Sequence, residues 1–188
     1  MSEEIELILL ESEEKMEGAV GHAKREFATI RTGRASSAFI EKLPVEAYGV
    51  AMTLQELATF SVPEARQLII TPHDGANVEP IERAIRNSDI GLSPSSDGRA
   101  IRLSFPPLTN ERRKELVKVV NNMAEEAKGR ARSIRRSARK DLEDLEKEGG
   151  ISEDDIERAE KSLDDLTRTT EGEIEAARES KEKELLEV

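Results

Sequence analysis

The chain of 188 residues contains no cysteine and no tryptophan, and aromatic residues make up only 3% of it. Without thiols it can form no disulfide, hold no metal through thiolates and use no cysteine nucleophile. No apolar run approaches the roughly 20 residues that a membrane-spanning helix needs. No Gly-rich phosphate loop with a following Lys-Ser/Thr is present, and no Gly-x-Gly-x-x-Gly follows a strand pattern, so a nucleotide site of either kind is not expected. Only His22 and His73 could act as imidazole bases or ligands. Two isolated histidines make a poor metal set, and His73 lies in Pro72-His73-Asp74-Gly75, which reads as a turn rather than as a base with its orienting carboxylate. Ser36-Ser37 and Ser95-Ser96 read as loop or cap residues. Carboxylates are plentiful, yet they lie among Lys and Arg on helical patterns, with nothing to single out a general acid. These absences predict a protein that is not an enzyme and needs no cofactor or metal. Met1-Ser2-Glu3-Glu4-Ile5 resembles neither a secretory signal nor an Arg-rich transit peptide. A soluble, cytoplasmic monomer without membrane association is expected.

What the chain does contain is charge: 37% of residues are charged, with a formal net charge of −11. That composition favours long solvated helices. Apolar residues recur with a helical period at Ile5, Ile8, Leu9, Met16, Val20, Ala23, Phe27 and Ile30, and Gly33 offers a stop. A second seam runs through Leu116, Val120, Met123, Ala127, Ala131, Ile134, Ala138, Leu142 and Leu145, at about 3.6 residues per turn. Thr109 can cap its start after Pro106-Pro107, and Gly149-Gly150 ends it. A third helix opens at Ser152, with Ile151 and Ile156 placed as a hydrophobic staple and Asp155 at the third helical position. It continues through Ala159, Leu163, Leu166, Ile174, Ala177 and Leu185. The short link makes helices two and three antiparallel neighbours, each about 50 Å long.

Residues 34 to 105 differ in texture, holding four of the five aromatics and five of the seven prolines. Val45–Tyr48, Phe60–Val62, Gln67–Ile70 and Ala100–Phe105 read as strands, Val78–Asn87 as a helix, and Leu54–Leu57 as a helical turn. The expected fold class is α+β: an elongated three-helix bundle (1–31 with 106–188) and a small inserted β/α/β domain (32–105). Thr32, Gly33 and Arg34 on one side, and Phe105, Pro106 and Pro107 on the other, are the expected hinge.

One stretch reverses the acidic trend. Lys128-Gly129-Arg130-Ala131-Arg132-Ser133-Ile134-Arg135-Arg136-Ser137-Ala138-Arg139-Lys140 holds seven cations and no acid. Lys128, Arg132, Arg135, Arg136 and Arg139 fall on one side of the helix, flanking its apolar seam. Neighbouring like charges on a helix repel. Two readings of the stripe stand: a surface for phosphate, which guanidinium groups bind in forked geometry, or a solvated face answered by acidic helices. No exposed aromatic pair accompanies the stripe, which argues against sequence-reading of single strands. Recognition of phosphate and shape, as in a folded RNA, remains. An adaptor whose stripe meets an acidic protein partner is the alternative.

Ile30-Arg31-Thr32-Gly33-Arg34-Ala35, Val45-Glu46-Ala47-Tyr48-Gly49 with Leu54-Gln55-Glu56-Leu57-Ala58, Ser88–Pro94, Pro106-Pro107-Leu108-Thr109-Asn110-Glu111-Arg112-Arg113-Lys114, Arg132-Ser133-Ile134-Arg135-Arg136 and Ile151-Ser152-Glu153-Asp154-Asp155 resemble, in order, the motifs of the ribosome recycling factor family. The resemblance implies a three-helix rod with a β/α/β domain, together roughly tRNA-shaped. It also implies binding to 23S rRNA of the large ribosomal subunit after termination, and subunit separation driven with elongation factor G and GTP. By matching position, Arg113, Arg132 and Arg135 would lead the rRNA contacts, with Arg31 and Arg136 secondary; Lys128 and Arg139 join from the stripe itself. Ser133 and Ser137 depart from the family's frequent polar or acidic residues, Ala47 stands where an aromatic is common, and Arg139-Lys140 makes the stripe more basic than usual.

Overall fold

The computed structural model describes residues 2–187, which form two compact units. One takes Asn110–Glu187 together with the chain up to Arg31, and the other is Thr32–Thr109. Pro106 to Thr109, which the sequence pattern assigns to the bundle, therefore group with the inserted unit. Leu108 explains this, because its Cγ lies where a Cβ on Gly33 would be 3.4 Å away.

The bundle consists of α1 (Glu3–Thr29), α4 (Asn110–Glu148) and α5 (Glu153–Leu186), each packed on the other two. Ser2 caps α1 by accepting the Ile5 N–H, and Glu3, Glu4 and Glu6 complement the positive end of the helix dipole. The helix ends at Thr29, short of the expected stop at Gly33. There the Thr29 hydroxyl donates to the Glu26 carbonyl and Ile30 turns extended. Gly33 serves the connector instead, at φ +81°. Gly149 and Gly150, at φ +81° and +100°, make the link between α4 and α5 at positions hostile to a side chain. Ser152 then accepts the Asp155 N–H at 3.3 Å, as the capping pattern predicts.

Ile5 and Met16 of α1, Ala138 and Leu142 of α4, and Ile156, Ala159 and Leu163 of α5 form one core cluster, which Ile151 joins from the link. The predicted α4 seam is buried at Leu116, Val120, Ala127, Ala131, Ala138 and Leu142, with Ala124 added; Met123, Ile134 and Leu145 sit half-buried at its edges. Two buried hydroxyls are satisfied within their own helices, Ser12 donating to the Ile8 carbonyl and Thr167 to that of Leu163, each at 2.7 Å, whereas Thr170 donates across the bundle to Met16 Sδ at 3.5 Å.

The second unit begins with the hairpin β1 (Pro44–Ala47) and β2 (Val50–Thr53), then a helical turn α2 (Leu54–Leu57). An antiparallel sheet follows, made of β3 (Ala58–Glu64), β4 (Gln67–Pro72), β5 (Pro94–Ser96) and β6 (Ile101–Ser104) in the order β3-β4-β6-β5. Between β4 and β5 lies α3 (Val78–Arg86), which turns Val78, Ile81 and Ile85 inward. These meet Leu68 and Ile70 of β4 and Ile101 and Leu103 of β6 in a single core. Two strands were not legible. β2 is exposed or half-exposed throughout, and β5 is a three-residue edge strand beginning with proline, so neither shows an alternating pattern. Tyr48, read from sequence as a strand residue, sits instead in the β1–β2 turn at φ +53°, next to Gly49 at +77°. Two successive positive φ values are what a right-twisting two-residue hairpin demands. Its phenol is tied down beyond the turn: it donates to Asp74 at 2.7 Å and accepts from Asn77 at 3.0 Å.

Leu142 is fully buried where all three helices meet. Leu142→Ala should lower the unfolding free energy by about 2–5 kcal/mol in urea titrations. Leu7→Ala, at a side chain 56% exposed on α1, should change it by less than about 0.5 kcal/mol.

Candidate nucleic-acid interface

The cations of α4 stand on the flank of its seam that faces α5, and α5 answers them. Lys128 Nζ lies 2.6 Å from Glu175 and 3.2 Å from Glu125. Arg132 Nε is 2.5 Å from Glu171, Arg135 Nε is 3.3 Å from Asp164, and Arg139 Nε is 2.8 Å from Glu160. Antiparallel packing makes this ladder: the cations climb α4 at helical spacing as the carboxylates descend α5. The solvated reading of the stripe thus has a structural basis. It does not remove the cationic surface, because Arg132, Arg135 and Arg139 all keep between 41% and 53% of their side chains in solvent.

Lys128 differs from the exposed position that the stripe pattern predicts. Its side chain is only 16% exposed, and its Glu175 partner also receives Arg178 at 2.8 Å. Arg178 in turn donates to Asn121 and Glu182. Lys128 is therefore the inner end of a network that joins α4 to α5. The Glu175 hydrogen bond holds the Lys128 ammonium above its ordinary pKa. Conversely, Lys128 and then Arg178 hold the Glu175 carboxyl below the usual glutamate range.

The remaining candidates separate. Arg136 is exposed and, among the described residues, makes no ion pair; the same holds for Lys140 one turn on. Arg130 turns to the α1 flank, with Nη1 2.9 Å from His22 Nδ1. Arg113 sits in the first turn of α4, where its Nη1 donates to the Leu186 carbonyl at 3.4 Å while its buried Nε has no partner among the described residues. Arg31 lies exposed just past α1. Lys128, Arg132, Arg135 and Arg139 thus share one flank, Arg136 lies beyond it, and Arg113 and Arg31 occupy other stations. Acidic helices answering the stripe were one of the two sequence readings, but which α5 carboxylates meet which cations was not named. Their signal was present in Glu160, Asp164, Glu171 and Glu175, spaced 4, 7 and 4 along one helical face, against 4, 3 and 4 for the cations.

The connectors carry their own anchors. Ala35 donates its N–H to the Ala65 carbonyl at 2.7 Å, and Phe105 donates to that of Arg66 at 2.8 Å. Both connectors are therefore pinned to the β3–β4 turn. Phe39 meets Phe105 edge-to-face, with ring centroids 5.3 Å apart. His73 and Asp74 act as turn residues: Asp74 caps a short 3-10 helix by accepting from Ala76 at 2.9 Å. No group of His, Asp and Glu among the described residues is arranged to hold a metal ion, and no described helix is long and apolar enough to cross a membrane.

The family model described as ribosome recycling factor matches residues 23–186. The chain belongs to the ribosome recycling factor family. A ribosome-recycling factor from Thermobifida fusca is 50% identical over 184 residues, covering 98% of this chain and all of that one. One from Bacillus subtilis is 46% identical over 181 residues, covering 96% and 98%. Among solved structures, a solution structure of the ribosome recycling factor covers both chains fully, with a TM-score of 0.78 and 44% identity. A T. thermophilus ribosome recycling factor, 38% identical with a TM-score of 0.64, covers 99% of this chain and all of that one. It belongs to models in which that factor and E. coli elongation factor G are bound to the E. coli post-termination complex.

The lowered pKa of Glu175 implies a stability contribution that is present above the ordinary glutamate value and lost as pH falls through the lowered one. The thermal-stability deficit of Glu175→Gln should therefore be full near neutral pH and shrink as pH falls below about 4.5, followed by circular dichroism.

Proposed function

We propose that this recycling factor binds the large ribosomal subunit of post-termination complexes through the α4 flank and, with elongation factor G and GTP, separates the ribosome into subunits. The observation that carries the first half is the row of half-exposed guanidinium groups at Arg132, Arg135 and Arg139, extended by Arg136. Such a row suits phosphates of folded 23S rRNA, since the charges are periodic and no aromatic platform lies among them. Arg113 and Arg31 join as contacts by their match to the family motifs. The T. thermophilus relative, which stands with elongation factor G on a post-termination complex, supports the second half.

The factor acts as a driven lever rather than as an enzyme. It has no phosphate loop through which to couple a fuel, so its own binding can favour separated subunits only by its difference in affinity for the two states. The hinge is Thr32, Gly33 and Arg34 with Phe105, Pro106 and Pro107. Ala35 and Phe105 are each hydrogen-bonded to the β3–β4 turn, so Phe105 marks the fixed end of this hinge and the bending proposed falls on Thr32 to Arg34 and on Pro106 and Pro107. A left-handed glycine in one connector and a stiff Pro-Pro in the other suit a joint that moves along a restricted path. The competing reading, an adaptor whose stripe meets an acidic protein, predicts no preference for large subunits over small ones.

Arg135→Glu should weaken binding to isolated large subunits by on the order of tenfold or more. Melting should shift little, because an exposed pair is worth about 0–1 kcal/mol to the fold. Arg132→Ala should reduce the salt slope of binding by about one if it contacts one phosphate. Unchanged subunit affinity in both variants would remove the stripe from the interface. With post-termination ribosomes, rapid splitting followed by light scattering should require elongation factor G and GTP together with this chain. Rapid splitting by the chain alone, or GTP hydrolysis by the purified chain, would overturn the lever reading.

A further inference from the structure

The ladder to α5 poses a problem for any anion that approaches the stripe, since the guanidinium groups of Arg132, Arg135 and Arg139 each already have a carboxylate beside them. We propose that Glu160 and Glu171 of α5, with Asp164 between them, are specificity-determining residues: they suppress binding of the arginine row to polyanions in general and leave it free for phosphates that fit its outward edge. This rests on the reading of the stripe as an rRNA-binding surface.

The geometry carries the inference. Arg132 and Arg135 meet their carboxylates through Nε, on the side edge of the guanidinium. Arg139 uses the same edge, with Nε and Nη2 both donating to Glu160. A guanidinium has five N–H donors, so each group keeps donors on an edge that its carboxylate does not occupy. Glu160 and Glu171 are themselves only 28% and 30% exposed, set back between the helices. A phosphate can therefore reach the free donors without displacing the carboxylate. It must do so in one orientation, and against a fixed negative charge a few ångströms behind the cation. A flexible polyanion held by charge alone gains little from a row so neutralised. A rigid array of phosphates that docks several free edges together gains the hydrogen bonds as well. Arg136 and Lys140, which have no ion pair among the described residues, supply attraction at first encounter but no discrimination.

Glutamine keeps the acceptor oxygen and removes the charge, so Glu160→Gln with Glu171→Gln tests charge apart from packing. Affinity is measured for isolated large ribosomal subunits and for poly(U), an unstructured polyanion, at one fixed salt concentration. In the double variant, affinity for poly(U) should rise by on the order of tenfold, while affinity for large subunits rises much less, so that selectivity falls. Each single variant should show part of the change, and helix content should match that of the parent. Unchanged affinity for both probes, or an equal rise for both, overturns the proposal. The double variant Arg132→Ala with Arg135→Ala tests the underlying reading separately. If it binds large subunits as tightly as the parent, the stripe is not the rRNA surface, whatever the glutamine variants do.

Discussion

Close packing of α4 against α1 and α5 along a seam of small side chains is the constraint on which the rest of the bundle depends. Ala124, Ala131 and Ala159 are wholly buried, and Ala23 and Ala127 nearly so. Helices that meet through alanine lie nearer one another than helices that meet through leucine. That approach brings glutamates and an aspartate of α5 within reach of arginines on the α4 flank. Larger residues in the seam would hold the helices apart and leave two separate charged surfaces. The Lys128–Glu175–Arg178 network shows the tightest case, with both cations more than four-fifths removed from solvent.

Charge follows from this packing. α4 carries twelve basic and nine acidic side chains, whereas α5 carries six basic and thirteen acidic, and α1 three and eight. The net charge of −11 thus conceals a bundle in which only α4 carries a net positive charge. The α5 acids neutralise the side of that helix they face, Arg130 turns to His22 of α1, and Arg136 and Lys140 are exposed without an ion pair among the described residues. A net charge of −11 makes the long-range field of the chain unfavourable to nucleic acid in general, while Arg132, Arg135 and Arg139 keep about half of their side chains in solvent.

The inserted unit builds its core around Ile70, Ile81 and Ile101 and needs nothing from the bundle to do so. Its connectors are held at their inner ends by the β3–β4 turn, which receives hydrogen bonds from Ala35 and Phe105.

The sequence by itself determined the three long helices, the insertion between the first two and the family. Helical periodicity over some 30 residues, Gly149-Gly150, the Ser152 cap and the in-order motifs are all local signals. It also determined that seven cations share one stretch of α4. It did not reveal β2 or β5, whose residues lie at exposed edges and carry no alternation, nor that Tyr48 turns into the left-handed region, where glycine, not tyrosine, is the usual signal. Nor did it decide what faces the arginines. Lys128 looks equivalent to Arg132 and Arg139 in the pattern, yet is nearly withdrawn from solvent, because Glu175 and Arg178 close over it from α5. Which acid reaches which cation depends on the register between two antiparallel helices, and that register is set by how alanines and leucines interlock across the seam. Only the tertiary structure holds that information, since the partners lie 21 to 47 residues apart in the chain.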